Sequence, residues 1–424
     1  MAERMRRTGM WVEPAVKGSF HGLNQLEHHP MIFLWPGITT TNFYEGKPPV
    51  EALRAKLRKI VALNPWLAGR MQRDPSEGVF GGLKLWVPAD PLPFLDSIFH
   101  GVKKLPKLDR DSMTYQEICA ILDPFNAPCG LSAFGQDKSL FHVTLIQTGK
   151  KDEFALHVSM SHSIGDGATY YSVLNMLSED AVPYAMLYDR VDISAWERRA
   201  VSEPFFLWMW GLMINVSHLL CIVFGGRWRT NVLEVSTEWV QQRKDEHERT
   251  RSSVDVPFIS TNDVVTSELS RNSRCDMTHM LLNFRGRNEK VKSSRAGNYE
   301  GFLTLWCEES NRPQGIRRAL TRPDGRFIGQ RKDAPDFHYT VVRNMRLGVT
   351  SWASFYDDVL LPGAKLLLHL PIWDLPVLPV HDLAVIFRPS KGRVAVLSHQ
   401  RGPHALLQEE AVQRVLVGDI RQCG

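Results

Sequence analysis

The sequence predicts an α/β fold built as two tightly joined halves, and three observations carry that reading. The 424 residues exceed what one hydrophobic core ordinarily supports, which sets the expectation of two domains or two joined halves. Segments that alternate between apolar and polar residues, as strands do, are interspersed with segments whose apolar residues recur at helical spacing. Apolar residues make up 43% of the chain, enough for a substantial core, and no repeat or low-complexity tract interrupts it.

The elements follow in chain order. Met1 to Gly9 carries Arg4, Arg6 and Arg7 with no apolar run behind them, so a cleaved secretory signal is not expected. His28 and His29 adjoin, but no third ligand stands at metal-binding spacing, and they read as loop residues. From Pro49 to Asn64, Leu53, Leu57, Ile60 and Val61 recur at helical spacing between flanking prolines, which predicts an amphipathic helix. Phe141 to Ile146 and Phe154 to Met160 alternate in character around the polar Gly149-Lys150-Lys151-Asp152, the pattern of a β-hairpin.

In the second of those strands Phe154, Leu156, Val158 and Met160 share one face, opposite Ala155, His157 and Ser159. Continued by two residues, the strand would bring His162 onto the apolar face. Gly165-Asp166-Gly167 then turns the chain, and Tyr170, Val173, Leu174 and Leu177 return to helical spacing. This places His162 at a strand-to-helix junction, pointing inward. His157, on the other face, reads as structural.

From Phe205 to Gly225 the chain holds no Asp, Glu, Lys or Arg, long enough to be weighed as a membrane span. Asn215, Ser217 and His218 near its centre argue against one, and a single mid-chain span would separate halves that must build one site. A buried helix, a re-entrant hairpin or an interfacial helix with Trp208, Trp210, Arg227 and Arg229 at headgroup level stay open. Further on, Ser260 stands three residues before Asp263, a capping signal ahead of Val264, Val265 and Leu269. The C-terminal third is broken by Pro371, Pro376, Pro379 and Pro389. Leu383 to Phe387 and Arg393 to Leu397 read as short strands, and a helix is expected from about Leu406 to Val417.

Charge and cysteine usage narrow the function. The 51 Lys and Arg are nearly balanced by 46 Asp and Glu, with no single-sign block, so nucleic acid is not an expected partner. The cysteines at 119, 129, 221, 275, 307 and 423 form no paired ligand spacing. No metal site is expected, and reduced thiols suit a cytoplasmic protein.

The segment His162-Ser163-Ile164-Gly165-Asp166-Gly167 carries the chemistry. A histidine takes a proton well near neutral pH because its ordinary pKa, about 6.5, lies close to the working pH. It then needs only to hold two reactants together, with no covalent intermediate. A short motif alone recurs by chance. Read blandly, His162 ends a strand and Asp166 caps a helix.

This segment resembles the His-x-x-x-Asp-Gly signature of the CoA-dependent acyltransferase superfamily, which includes plant BAHD enzymes, chloramphenicol acetyltransferase, wax ester synthases and condensation domains. Asn64-Pro65-Trp66-Leu67-Ala68-Gly69-Arg70, Ile259 to Arg271, Asn283-Phe284-Arg285-Gly286-Arg287 with Ala296 to Gly301, and Thr350-Ser351-Trp352 are similar to further BAHD segments in the same order. Where those enzymes carry Asp-Phe-Gly-Trp-Gly, this chain reads Tyr356-Asp357-Asp358-Val359-Leu360-Leu361-Pro362-Gly363, which marks a divergent branch.

The resemblance implies two pseudo-symmetric chloramphenicol-acetyltransferase-like halves, each a mixed sheet flanked by helices, with a tunnel between them. The N-terminal half would span 1–188 and the C-terminal half 257–424, joined by a crossover over 189–256 that contains the apolar stretch 205–225. His162 would be the general base. Asp166 would point away from substrate and pair with Arg285, or failing that Arg287, with Gly167 completing a structural set. Acyl-CoA would be the co-substrate, with no permanently bound cofactor, and the acceptor a hydroxyl- or amine-bearing small molecule or lipid. A monomer is expected, with peripheral membrane contact through 205–225 as a variant. Two other readings keep the fold: a carrier-protein-dependent condensation enzyme, disfavoured because Ser161 stands where such domains usually have a second histidine, and a non-catalytic binding protein.

Overall fold

A computed structural model describes residues 17–74, 82–201, 228–252, 256–329, 346–373, 380–401 and 404–417. The apolar stretch 205–225 and Met1 to Gly9 lie outside the described residues. Among the described residues, no helix is long and apolar enough to cross a membrane.

The architecture is mixed α/β, as expected. The predicted hairpin forms as antiparallel strands Phe141–Gln147 and Glu153–Met160. They sit inside a five-stranded sheet, ordered Ala364–Pro371, Ile38–Gly46, Glu153–Met160, Phe141–Gln147, Phe99–Lys104. The central strand Glu153–Met160 is buried along its whole length, because both faces of the sheet are covered. The helix expected from Pro49 runs Val50–Leu63 and buries Leu53, Leu57, Ile60 and Val61 in the same core.

A seven-stranded sheet forms the other half, ordered Glu300–Trp306, Met277–Asn283, Arg346–Ser351, Asp382–Phe387, Ala395–Gln400, Arg229–Val235, Val412–Val415. Arg346–Ser351 runs parallel to both of its neighbours and the remaining pairs are antiparallel. Strand alternation divides Asp382–Phe387 between two cores. Val385 and Phe387 join the core of the five-stranded sheet, whereas Ala384 and Ile386 join the core that holds the helix Thr261–Asn272. A small three-stranded sheet, Gly18–Gly22, Leu83–Pro88 and Arg70–Arg73, flanks these.

Two strands join sheets far from their sequence neighbours. Ala364–Pro371, late in the chain, pairs antiparallel with Ile38–Gly46 and so completes the N-terminal sheet. Arg229–Val235 is inserted between Ala395–Gln400 and Val412–Val415 of the C-terminal sheet. The helix expected over Leu406 to Val417 does not form. A short 3-10 turn, Glu409–Ala411, leads into the strand Val412–Val415. Edge pairing with Arg229–Val235 satisfies backbone groups there, and β-branched Val412 and Val415 suit it better than a helix.

Candidate active site

The strand Glu153–Met160 stops two residues before His162, and a turn over residues 162–164 carries the chain into the helix Gly167–Asn175. His162 therefore sits at the strand-to-helix junction, turned into the molecule rather than carried on an extended strand. Its side chain is 11% exposed, so the ring is neither sealed nor open to bulk water.

The ring's protonation is set by its neighbour. His162 Nδ1 lies 2.9 Å from Asn298 Oδ1. The Asn298 amide is oriented by two groups that only accept: its Nδ2 donates to the His162 carbonyl at 2.9 Å and to Glu27 Oε1 at 3.3 Å. Oδ1 must then face the ring as an acceptor, so Nδ1 carries the proton and donates. That leaves the lone pair on Nε2, the nitrogen that faces outward toward Glu300. Burial lowers the His162 pKa, which keeps the imidazole neutral and able to accept a proton.

Asn298 is itself held from behind. Its backbone N–H donates to Glu27 Oε1 at 3.0 Å, and Arg190 pairs with the fully buried Glu27 at 2.9 Å. Arg190 also donates to the carbonyls of Tyr188, Ile164 and Ala296, so one guanidinium ties the segments around residues 164, 190 and 296 together. Gly297, just before Asn298, adopts φ +118°, and an added Cβ would lie 2.7 Å from Arg190 Nε. Only glycine fits that position.

Asp166 points away from the ring. Its Oδ1 accepts from the Thr169 N–H at 2.9 Å and caps the following helix. Its Oδ2 accepts from the Tyr299 N–H at 2.8 Å and from Arg285 Nη1 at 2.7 Å. The pair is buried, with side-chain exposures of 4% for Arg285 and 2% for Asp166. Burial works against ionisation of Asp166, but the guanidinium and the donated hydrogen bonds prevail and hold its pKa below the ordinary value. Arg285 also donates to the Thr169 hydroxyl and to the Gly297 and Arg295 carbonyls. Arg287 takes no part: its guanidinium lies over the Phe327 ring and donates to the Asn283 carbonyl. Gly167 passes close to Trp352, where a Cβ would come within 3.2 Å of the indole nitrogen.

Asn298 and Glu300 lie within the segment Ala296 to Gly301 noted in the sequence, without a role assigned to them there, and Glu27 and Arg190 stand in no motif. Glu300 begins the edge strand Glu300–Trp306, and its Oε1 lies 3.7 Å from His162 Nε2 with 16% of the side chain exposed. Burial and the Asp166 carboxylate push its pKa up to about 8, against the pull of Arg285.

Among the described residues, one other cluster has metal-ligand chemistry: Cys275, His381 and Asp382, whose ligand atoms lie within 4.8 Å of one another. Asp382 Oδ1 accepts from the Arg401 N–H and meets His381 Nδ1, while Oδ2 meets His404 Nε2 and the Cys275 thiol. The buried carboxylate is thus fully hydrogen-bonded by protein groups.

No protein-family model matches the sequence, and no curated protein matches it. Solved structures do share its fold. It is similar to F. graminearum TRI101 complexed with coenzyme A and deoxynivalenol, at 16% identity and TM-score 0.59 over 90% of this chain and 95% of that one. It is similar to vinorine synthase at 14% identity and TM-score 0.52, over 92% and 91% of the two chains. The first condensation domain of the CDA synthetase matches at 14% identity and TM-score 0.53, over 90% and 91%. The chain therefore has the same fold as TRI101, vinorine synthase and this condensation domain.

Proposed function

We propose that the protein transfers an acyl group from a CoA thioester to a hydroxyl or amine, with His162 as general base. The observation that carries this reading is the fixed tautomer of His162, with Nδ1–H committed to Asn298 and the Nε2 lone pair left free on a partly exposed ring. As the acceptor oxygen or nitrogen attacks the thioester carbonyl carbon, Nε2 takes its proton. The imidazolium formed keeps its Nδ1–H bond to Asn298. When the C–S bond breaks, the proton passes from Nε2 to the departing thiolate, and the base returns to its starting form.

Donor identity is drawn from the neighbours, since TRI101 is complexed with coenzyme A and with the small molecule deoxynivalenol. Asp166, Gly167 and Arg285 serve as structural supports that hold the junction carrying His162 against the segment carrying Asn298. A lipid acceptor met at a membrane surface through 205–225 is a narrower form of the same reading. Co-sedimentation with liposomes, abolished by deleting 205–225, would support it.

Purified protein supplied with acyl-CoA and a broad acceptor panel is expected to release CoA thiol, and His162→Ala to slow release by about 100-fold or more, the usual scale for losing a general base. Equal rates in wild type and His162→Ala would end the proposal.

A further inference from the structure

The transferase reading uses one base, yet the site holds two groups able to take a proton. Glu300 Oε1 stands 3.7 Å from the free nitrogen of His162, and both side chains keep a sliver of exposure, 16% and 11%. Nothing in the ester-forming reaction uses it. An alcohol brings one proton to the reaction, and the leaving thiolate takes one away, so His162 alone closes the balance.

An amine changes the count. At neutral pH a primary amine arrives as an ammonium ion, which loses one proton to become a nucleophile and a second as the amide forms. The thiolate takes up only one of them.

Resting on the transferase reading, we infer that Glu300 is the second base of this site and that the acceptor is a primary amine. The charge of the entering ammonium favours the ionised form of Glu300, whose carboxylate pairs with it and takes one proton, giving a neutral carboxyl and a neutral amine. The amine nitrogen then attacks the thioester carbonyl carbon while His162 Nε2 takes the second proton. The C–S bond breaks, Nε2 protonates the thiolate, and Glu300 later releases its proton to water. The sum is ammonium plus thioester giving amide, thiol and one proton. One nitrogen can lie about 2.9 Å from both Nε2 and Oε1 and donate to each, as a hydroxyl with its single hydrogen cannot.

The surroundings of Glu300 suit this task. Burial and then Asp166, which caps the helix that follows His162, oppose its ionisation; Arg285, from the turn after Met277–Asn283, favours it; and the Glu27–Arg190 pair lies behind Asn298. The outcome is a carboxyl whose pKa of about 8 lies close to the working pH, where proton exchange with an ammonium is easiest.

The test uses the full chain with acetyl-, hexanoyl- and benzoyl-CoA and matched acceptors differing only in the reacting group, tryptamine against tryptophol and phenethylamine against phenethyl alcohol. Wild type is expected to prefer the amine of each pair in kcat/KM. Glu300→Gln, which keeps shape but holds no proton to exchange, is expected to lower the amine-to-alcohol ratio at least tenfold, with Glu300→Asp between. The pH limb of amine acylation should also move in Glu300→Gln toward the ionisation of the free amine. Preference for alcohols in wild type, no turnover of any amine, or a ratio changed less than about twofold by Glu300→Gln would overturn the inference. His162→Ala separates the two readings: full turnover in that variant sinks the base assignment, whereas its loss together with an unchanged ratio in Glu300→Gln sinks only the second base.

Discussion

Asn298 shows how much chemistry rests on one amide. Its Nδ2 faces a carbonyl and a carboxylate, so it cannot flip without setting acceptor against acceptor, and the protonated nitrogen of His162 follows from that constraint. Asn298→Ala removes the partner of Nδ1 and lets the ring adopt either tautomer and either orientation. We expect kcat to fall by about 10- to 100-fold with KM little changed, part of what a positioned base contributes. Steady-state kinetics on the wild-type acceptor would check it, and a fall confined to KM would contradict it. The same burial sets the acid limb. Because the His162 pKa is lowered below 6.5, the ring stays neutral to lower pH, and under the proposed base role kcat/KM with an alcohol acceptor should decline only as pH falls through that depressed value. Little of this was legible in the sequence. His162 stood out by its motif and Asn298 lay in the matched segment Ala296 to Gly301, but the contacts that join Asn298 to His162 and to Glu27 span 136 and 271 residues along the chain, which no local pattern records.

At the scale of elements, the helix Gly167–Asn175 is tied to the opposite half by one ion pair. Asp166 caps its first turn while bonding Arg285, and Arg285 binds Thr169 in the same turn. Removing either partner leaves the other charge buried and uncompensated, at about 3–5 kcal/mol. Asp166→Ala and Arg285→Ala should each destabilise by that order in urea unfolding, and the double variant by clearly less than the sum, since the second truncation removes the stranded charge. Additive losses would show that the two do not act as a pair. Elements built on local signals were legible: the helix Val50–Leu63 from its apolar spacing, the hairpin from its alternation, and Ser260 as a cap, confirmed by reciprocal bonds with Asp263. The strand Val412–Val415 was not, because Leu406, Leu407 and Ala411 fall at spacings a helix would also use, and pairing with a strand far earlier in the chain decided the matter. The exchange of Ala364–Pro371 into the N-terminal sheet was illegible for the same reason.

The whole molecule buries an unusual set of histidines, and this gives it a characteristic response to acid. Burial lowers His142 and His399 to about 4 and His157 and His369 to about 3, all from 6.5. His369 is satisfied as a neutral ring by the Tyr171 hydroxyl and the Asn42 side chain, and His157 by Thr41 and Asn126. A depressed histidine binds its proton more readily in the unfolded chain, so its contribution to stability is complete above pH 6.5 and is lost as pH falls toward the folded value. Glu300 and Glu197, raised to about 8 and about 7, act in the opposite sense over the range between their ordinary and raised values. Near pH 5 the four histidines outweigh the two carboxyls by about two protons, which corresponds to roughly 3 kcal/mol of stability lost per pH unit. Against a total stability of about 5–15 kcal/mol for a typical domain, that slope removes most of the margin within a few units. Thermal unfolding followed by circular dichroism should therefore show Tm falling steeply from pH 6.5 to 4.5, and replacing His369 with a neutral isostere such as Gln should flatten the slope by about one proton. A Tm that stays level across that range would mean that these rings do not remain neutral in the folded protein, and with it the packing of both sheets around them would need another account.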